Sequence, residues 1–127
     1  MQWKNLTPHT IHIHDKEGSI LTMQPHGPAA RLAVEREDLG DFPGAGIPFV
    51  RSTMGLPTGL PPHEPGAIII VSALVAEACP SRTDLAYPGE AIRDESGRIV
   101  GSKGLCAGKG LAAEIRRGAF VGELGEE

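Results

Sequence analysis

Ala67-Ile68-Ile69-Ile70-Val71 is the most apolar stretch of the chain, and its unbroken β-branched run suits a strand buried on both faces. Its flanks limit how far that strand can extend. Upstream, between Gly55 and Gly66, the prolines Pro57, Pro61, Pro62 and Pro65 remove donors and fix φ, which predicts a long ordered loop or flap. Downstream, Ser72 can cap a short helix over Ala73 to Ala78, and Pro80 forbids its continuation.

Working outward, Thr10-Ile11-His12-Ile13-His14 alternates apolar and polar residues with period two, as a half-buried strand does. Asp15 to Ser19 supplies a turn and Ile20 to Met23 a second strand, so residues 9–23 read as a hairpin that Pro25-His26-Gly27-Pro28 ends. Residues 29–35 form a weaker strand with Arg31 turned away from Leu32 and Val34, and the polar stretch 36–41 reads as a surface connection. Ile47 to Met54 is a further strand, and its Pro48 argues for an edge or a strand start. Residues 80–90 predict a functional loop, because a loop gains little core stabilisation from an Arg or a Tyr. Ala91 to Asp94 and Arg98 to Val100 flank a turn at Asp94-Glu95-Ser96-Gly97 and make a second hairpin. Leu111 to Arg117 can form two helical turns after a glycine-rich segment, and an acidic tail follows from Gly122.

The helices are too few to cover a parallel sheet. The expectation is therefore a mainly β fold, a small antiparallel barrel or sandwich with one or two short helices. A chain of 127 residues, 40% hydrophobic and 22% charged, suits one soluble β domain over 1–127, in which 106–127 contributes the Gly-rich segment, short helix and acidic tail. Seventeen Gly and eleven Pro mean many turns and few long helices.

A net charge of −4 and a pI near 5.7 repel polyanions, so no face for duplex nucleic acid or anionic lipid is expected. No apolar run has the length of a membrane span, and the first residues lack a cationic segment leading into an apolar one. The expected location is the cytoplasm. Cys79 and Cys106 show neither CxxC nor CxxH spacing and read as reduced packing residues.

Several catalytic chemistries lack support. His12 and His14 share a strand face, but His-x-His without a third converging ligand is a weak metal signal, and no HExxH is present. Ser72, Ser81 and Ser96 stand in no GxSxG elbow. Gly104 to Gly110 lacks the GxxxxGK[ST] order of a phosphate loop and is read without a strand feeding a long helix. No metal or cofactor is expected.

The arginines carry more information. Arg31, Arg51, Arg82, Arg93 and Arg98 lie on strands or turn edges from which a guanidinium can leave the sheet and pair with phosphate oxygens. Tyr87 follows Arg82 closely in one loop, which puts an aromatic face near a guanidinium. Base stacking contributes about 1–3 kcal/mol and a charged hydrogen bond about 1.5–3, whereas nanomolar affinity needs about 12. One loop falls short. A tight nucleotide site needs three or more such groups, most easily assembled where two subunits meet, so a homo-oligomer belongs to this reading.

Beyond composition, the wording of the chain resembles a known family. Asn5-Leu6-Thr7-Pro8-His9, Gly27-Pro28-Ala29-Ala30-Arg31, Ile70-Val71-Ser72-Ala73-Leu74-Val75-Ala76, Pro80-Ser81-Arg82-Thr83-Asp84-Leu85, Pro88-Gly89 and Arg93-Asp94 carry the likeness. They resemble the Thoeris anti-defence sponges of the first type, over about residues 5–105. The resemblance implies a Greek-key β protein, a dimer or hexamer, that sequesters cyclic ADP-ribose isomers made by TIR-domain enzymes. Some such proteins also hold cyclic oligonucleotides, and they bind without chemistry. By the same resemblance Arg31 would contact phosphate, Tyr87 would stack on adenine, and Asp84 with the 94–97 turn would address ribose hydroxyls. Arg51, Arg82 or Arg93 would serve a second pocket, while Lys109 or Arg116 is left open because no family motif reaches that segment.

The expected function is thus a non-enzymatic sponge for a cyclic nucleotide immune signal, in the host cytoplasm if the chain is phage-encoded. The rival expectation is an accessory interaction or structural protein that docks through an edge strand and the 55–66 loop. A metal-dependent enzyme on a small barrel stands third.

Overall fold

The structure is a computed structural model, and it describes residues 2–118. The acidic tail expected from Gly122 lies outside the described residues. In chain order the elements are β1 (Gln2–Asn5), β2 (Ile11–His14), β3 (Ile20–Met23), β4 (Arg31–Phe42), β5 (Ile47–Thr58), β6 (Ala67–Ile70), α1 (Ala73–Ala78), β7 (Leu85–Arg93), β8 (Ile99–Ala107) and α2 (Lys109–Arg116). The protein is mainly β with two short helices, as the sequence implied.

Six strands form one sheet in the order β1-β6-β7-β8-β2-β3, and β4 pairs only with β5. The six-stranded sheet curls until its outer strands nearly meet. At that seam Asn5 Nδ2 donates to the Met23 carbonyl at 3.0 Å, and His26 N donates to the Asn5 carbonyl at 2.7 Å. Asn5 is buried, and its Oδ1 also accepts from Thr7 N at 2.9 Å. Asn5 therefore ties β1 to the chain between Met23 and His26, through its side-chain amide and its main-chain carbonyl, at the closing seam of a barrel-like sheet.

The central strand behaves as its composition demands. Ile68 and Ile70 pack with Ile13, Met23, Ala86 and Leu111, while Ile69 and Val71 pack with Leu6, Val75 and Leu85. Alternate side chains thus feed two clusters, one on each face of β6. α1 covers the second cluster; Ser72 caps it as expected, with Val75 N donating to Ser72 Oγ at 3.3 Å.

The antiparallel Greek-key expectation needs correction, because the sheet is mixed. β2–β3 and β7–β8 pair antiparallel, but β1–β6, β6–β7 and β2–β8 pair parallel. The count of helices misled. A curled sheet buries one face against itself, so α1 and a few loop residues suffice to cover the outside and to cross from β6 to its parallel neighbour β7.

Four stretches expected to be irregular are strands. Residues 36–41 complete β4, residues 55–58 complete β5, and residues 85–90 with 101–107 extend the β7–β8 hairpin. Glycine explains the last of these. A Cβ on Gly89 would stand 2.3 Å from the Lys103 carbonyl oxygen, so glycine here permits close strand approach rather than marking a loop. Cys79 packs half-buried against the core, but Cys106 is exposed on β8, which corrects its reading as a packing residue.

The β4–β5 hairpin is the outlier. Each strand runs for 12 residues, the pairing carries two register shifts, and nearly every residue from Ala33 to Met54 is exposed. It leaves the body beside α1 as an arm.

Candidate functional site

The arginines proposed from sequence do not gather within one chain. Arg31 and Arg51 lie on the arm, where Arg51 stands opposite Glu37 in register and Arg31 lines a groove of about 280 Å³ at the arm's root. Pro8, Val34, Met54 and Leu74 make that groove largely apolar. At the far end of the sheet, Arg93 donates from Nη1 to the Gly97 carbonyl at 2.7 Å and clasps its own turn. Arg98 is exposed beside it, with its backbone N–H donating to Asp94 Oδ1 at 3.0 Å.

Arg82 and Asp84 are committed to each other. Arg82 donates from Nε to Asp84 Oδ1 at 2.9 Å and from Nη2 to Oδ2 at 2.8 Å, and Nη2 also reaches the Pro61 carbonyl at 2.9 Å. The hydrogen-bonded carboxylate raises the guanidinium above its ordinary pKa. Asp84 is fully buried with both oxygens occupied, so it has no free group for a ribose hydroxyl. Burial corrects the expected ribose-binding role of Asp84, and together the two residues fasten the proline-rich loop to the start of β7.

Tyr87 is differently placed. It lies half-buried on β7, pairs in register with Cys106, and lines a cleft of about 270 Å³ with Glu77, Pro80, Gly108 and Lys109. Gly108 is the N-cap of α2 and has no side-chain cap, so the free backbone N–H groups of the first helical turn lie beside Lys109. Tyr87, Glu77, Gly108 and Lys109 thus line one opening at the start of α2. β8 leads directly into α2 here, so the strand thought missing before the Gly108-Lys109-Gly110 segment is present, although the helix is short. Arg116 lies in the last turn of α2, away from the cleft-lining residues.

No family model, curated protein or solved structure matches the chain.

The Arg31 groove touches Ser72 and Leu74 at the start of α1, and the Tyr87 cleft touches Glu77 at its end. Arg31 and Tyr87 thus line separate openings beside α1. Sequence reasoning named Tyr87 and Lys109 separately but missed Glu77 and Gly108. Their signal is the strand–glycine–helix join at 107–109, legible only once β8 is known to run through its glycines. The histidines make local contacts: His12 Nδ1 lies 3.0 Å from Thr22 Oγ1, and a Cβ on Gly101 would meet the His14 ring at 2.7 Å. Among the described residues no three His, Cys, Asp or Glu side chains converge, and no helix is long and apolar enough to cross a membrane.

Proposed function

We propose that the protein is a non-enzymatic sponge that holds a cyclic nucleotide signal in the host cytoplasm, with Tyr87 stacking on a base and Lys109 meeting a phosphate. The observation that carries this reading is the Tyr87–Lys109 cleft at the uncapped start of α2. Helix-terminal N–H groups and an ammonium favour an anion, while the phenol ring supplies a sequence-tolerant stacking surface. Glu77 stands where ribose hydroxyls could donate to it. Cyclic ADP-ribose isomers are the first ligand class and cyclic di- or trinucleotides the second, in keeping with the resemblance above.

Size supports a composite pocket. Small-molecule sites usually occupy about 300–1,000 Å³. A cleft of about 270 Å³ takes part of a dinucleotide-sized ring, and a second subunit must enclose the rest.

Calorimetry against cyclic ADP-ribose isomers and cyclic di- and trinucleotides tests the reading. Saturable heat should appear with at least one ligand and fall at least tenfold in affinity in Tyr87→Ala and Lys109→Ala. Absence of heat with every ligand, from folded protein, sinks it. Loss of biological activity on changing the 55–66 loop, with Tyr87→Ala fully active, would favour the interaction-protein rival.

A further inference from the structure

A helix that packs on a sheet turns one apolar stripe toward it, and in α2 that stripe is Leu111 and Ile115, four residues apart. Leu111 is buried in the cluster of Ile13, Ile68 and Ile70, but Ile115 is 51% exposed. Trp3 shares that condition. It stands opposite the buried Ile68 in register, so its indole lies on the cluster's side of β1, yet 41% of it is open. Trp3 and Ile115 line one groove of about 140 Å³, to which Ile68, Ala86 and Leu105 also contribute and which no polar side chain enters. An apolar cavity of about 150 Å³ takes a benzene ring. The groove therefore fits one phenyl group.

We propose that Phe120 fills this groove and latches the chain beyond α2 onto the body. The exit from α2 aims the chain that way. Gly118 has a φ of 76°, in the left-handed region, and its N–H donates to the Ile115 carbonyl at 3.0 Å. Helices that end so commonly place apolar residues just past the glycine against their own last turn. Reach agrees. Ile115 is three residues before Gly118, about 4.5 Å along the helix axis, and two residues of chain span up to about 7 Å, so Phe120 comes level with Ile115. Among Ala119-Phe120-Val121-Gly122-Glu123-Leu124-Gly125-Glu126-Glu127, Phe120 alone carries a ring. Charge agrees too, because Arg116 in the last turn of α2 attracts the glutamates that follow. Ala107 lines both this groove and the Tyr87–Lys109 cleft, so a seated Phe120 braces the helix whose first turn flanks that cleft. The latch itself does not depend on what the cleft binds.

Trp3 is the only tryptophan, so its fluorescence reports the groove directly. In the full chain, Phe120→Ala should at least double the acrylamide quenching constant of Trp3, whereas Leu124→Ala should leave it unchanged. Wild-type protein should show nuclear Overhauser contacts from the Phe120 ring to the Trp3 indole and the Ile115 methyl groups. Mixtures of labelled and unlabelled chains should show none of these between copies. Should Phe120→Ala fail to fold, the wild-type contacts decide alone. Absence of those contacts overturns the latch, as does quenching that a folded Phe120→Ala leaves unchanged. Contacts found only between copies, or a groove opened by Leu124→Ala instead, overturn it equally.

Discussion

β6 and the β4–β5 arm are both strands rich in apolar side chains, yet every residue of β6 is buried and almost none of the arm is. β6 sits between β1 and β7 with a side-chain cluster on each face, whereas each arm strand has a single neighbour and only Leu32, at the root of β4, reaches a cluster. Apolar content alone therefore does not decide burial. What decides it is the number of elements that converge on a strand, and along most of the arm β4 and β5 have only each other.

The sharpest way to break this contrast is to remove one arginine from the body and one from the arm. Arg82→Ala strands the fully buried Asp84 without its partner, a loss of about 3–5 kcal/mol for a buried pair. Arg51→Ala removes an exposed partner of Glu37 on the arm and should change unfolding of the body by less than about 0.5 kcal/mol. Urea denaturation compares them directly. Equal effects would mean that the arm is part of the cooperative core.

Glycines sharpen the comparison at the next level. A Cβ on Gly110 would lie 2.2 Å from the Arg82 carbonyl oxygen, so Gly110→Ala must push α2 away from the loop that the Arg82–Asp84 pair holds. Such overpacking costs about 1–3 kcal/mol, and it should also weaken any ligand bound at Lys109. Gly55→Ala on the arm meets only Ala33, at 3.3 Å, and an exposed ribbon can yield by that much. Thermal melts should separate the two, and a Gly110→Ala protein as stable as wild type would show that α2 packs loosely on its neighbours.

How far the fold was legible follows the same division. Ile68 to Val71, the hairpin from Ile11 to Met23, the Ser72 cap and the Asp94 turn each carry their signal within a few residues, and each was readable. Gln2-Trp3-Lys4-Asn5 has no period-two pattern; it becomes a strand because β6 offers an edge and Lys4 pairs with Glu64. The arm was hidden for the opposite reason. Arg36-Glu37-Asp38 looks like a connection because polar residues seldom form long strands unless a partner strand holds them, and β5 lies beyond the intervening turn. At the site, Tyr87 was readable as a scarce aromatic, but its neighbours were not, since β7 and β8 run through glycines that suggest loops. Arg82 and Asp84 looked like ligand groups because two charges in a loop carry no mark of burial. Only the tertiary packing reveals that they satisfy each other.

The smallest expected effect compares two turns. Asp94 Oδ1 accepts from Ser96 N at 2.9 Å, Ser96 Oγ at 2.7 Å and Arg98 N at 3.0 Å, whereas the arm's turn is closed by one backbone bond, Ala45 N to the Phe42 carbonyl at 3.1 Å. The Ser96 hydroxyl, followed by the Arg98 amide, holds the Asp94 carboxyl below its ordinary pKa. A lowered folded-state pKa means that the turn's stabilisation is present at neutral pH and is lost as pH falls through and below the usual carboxylate range. Amide exchange at Ser96 and Arg98 should therefore accelerate in acid beyond the change in chemical exchange rate, and Asp94→Asn should weaken that extra pH dependence. Exchange at Ala45 should follow chemistry alone. If Ser96 and Ala45 respond alike, the side-chain bonds of Asp94 do not hold the β7–β8 turn, and the difference between the two hairpins lies in their packing alone.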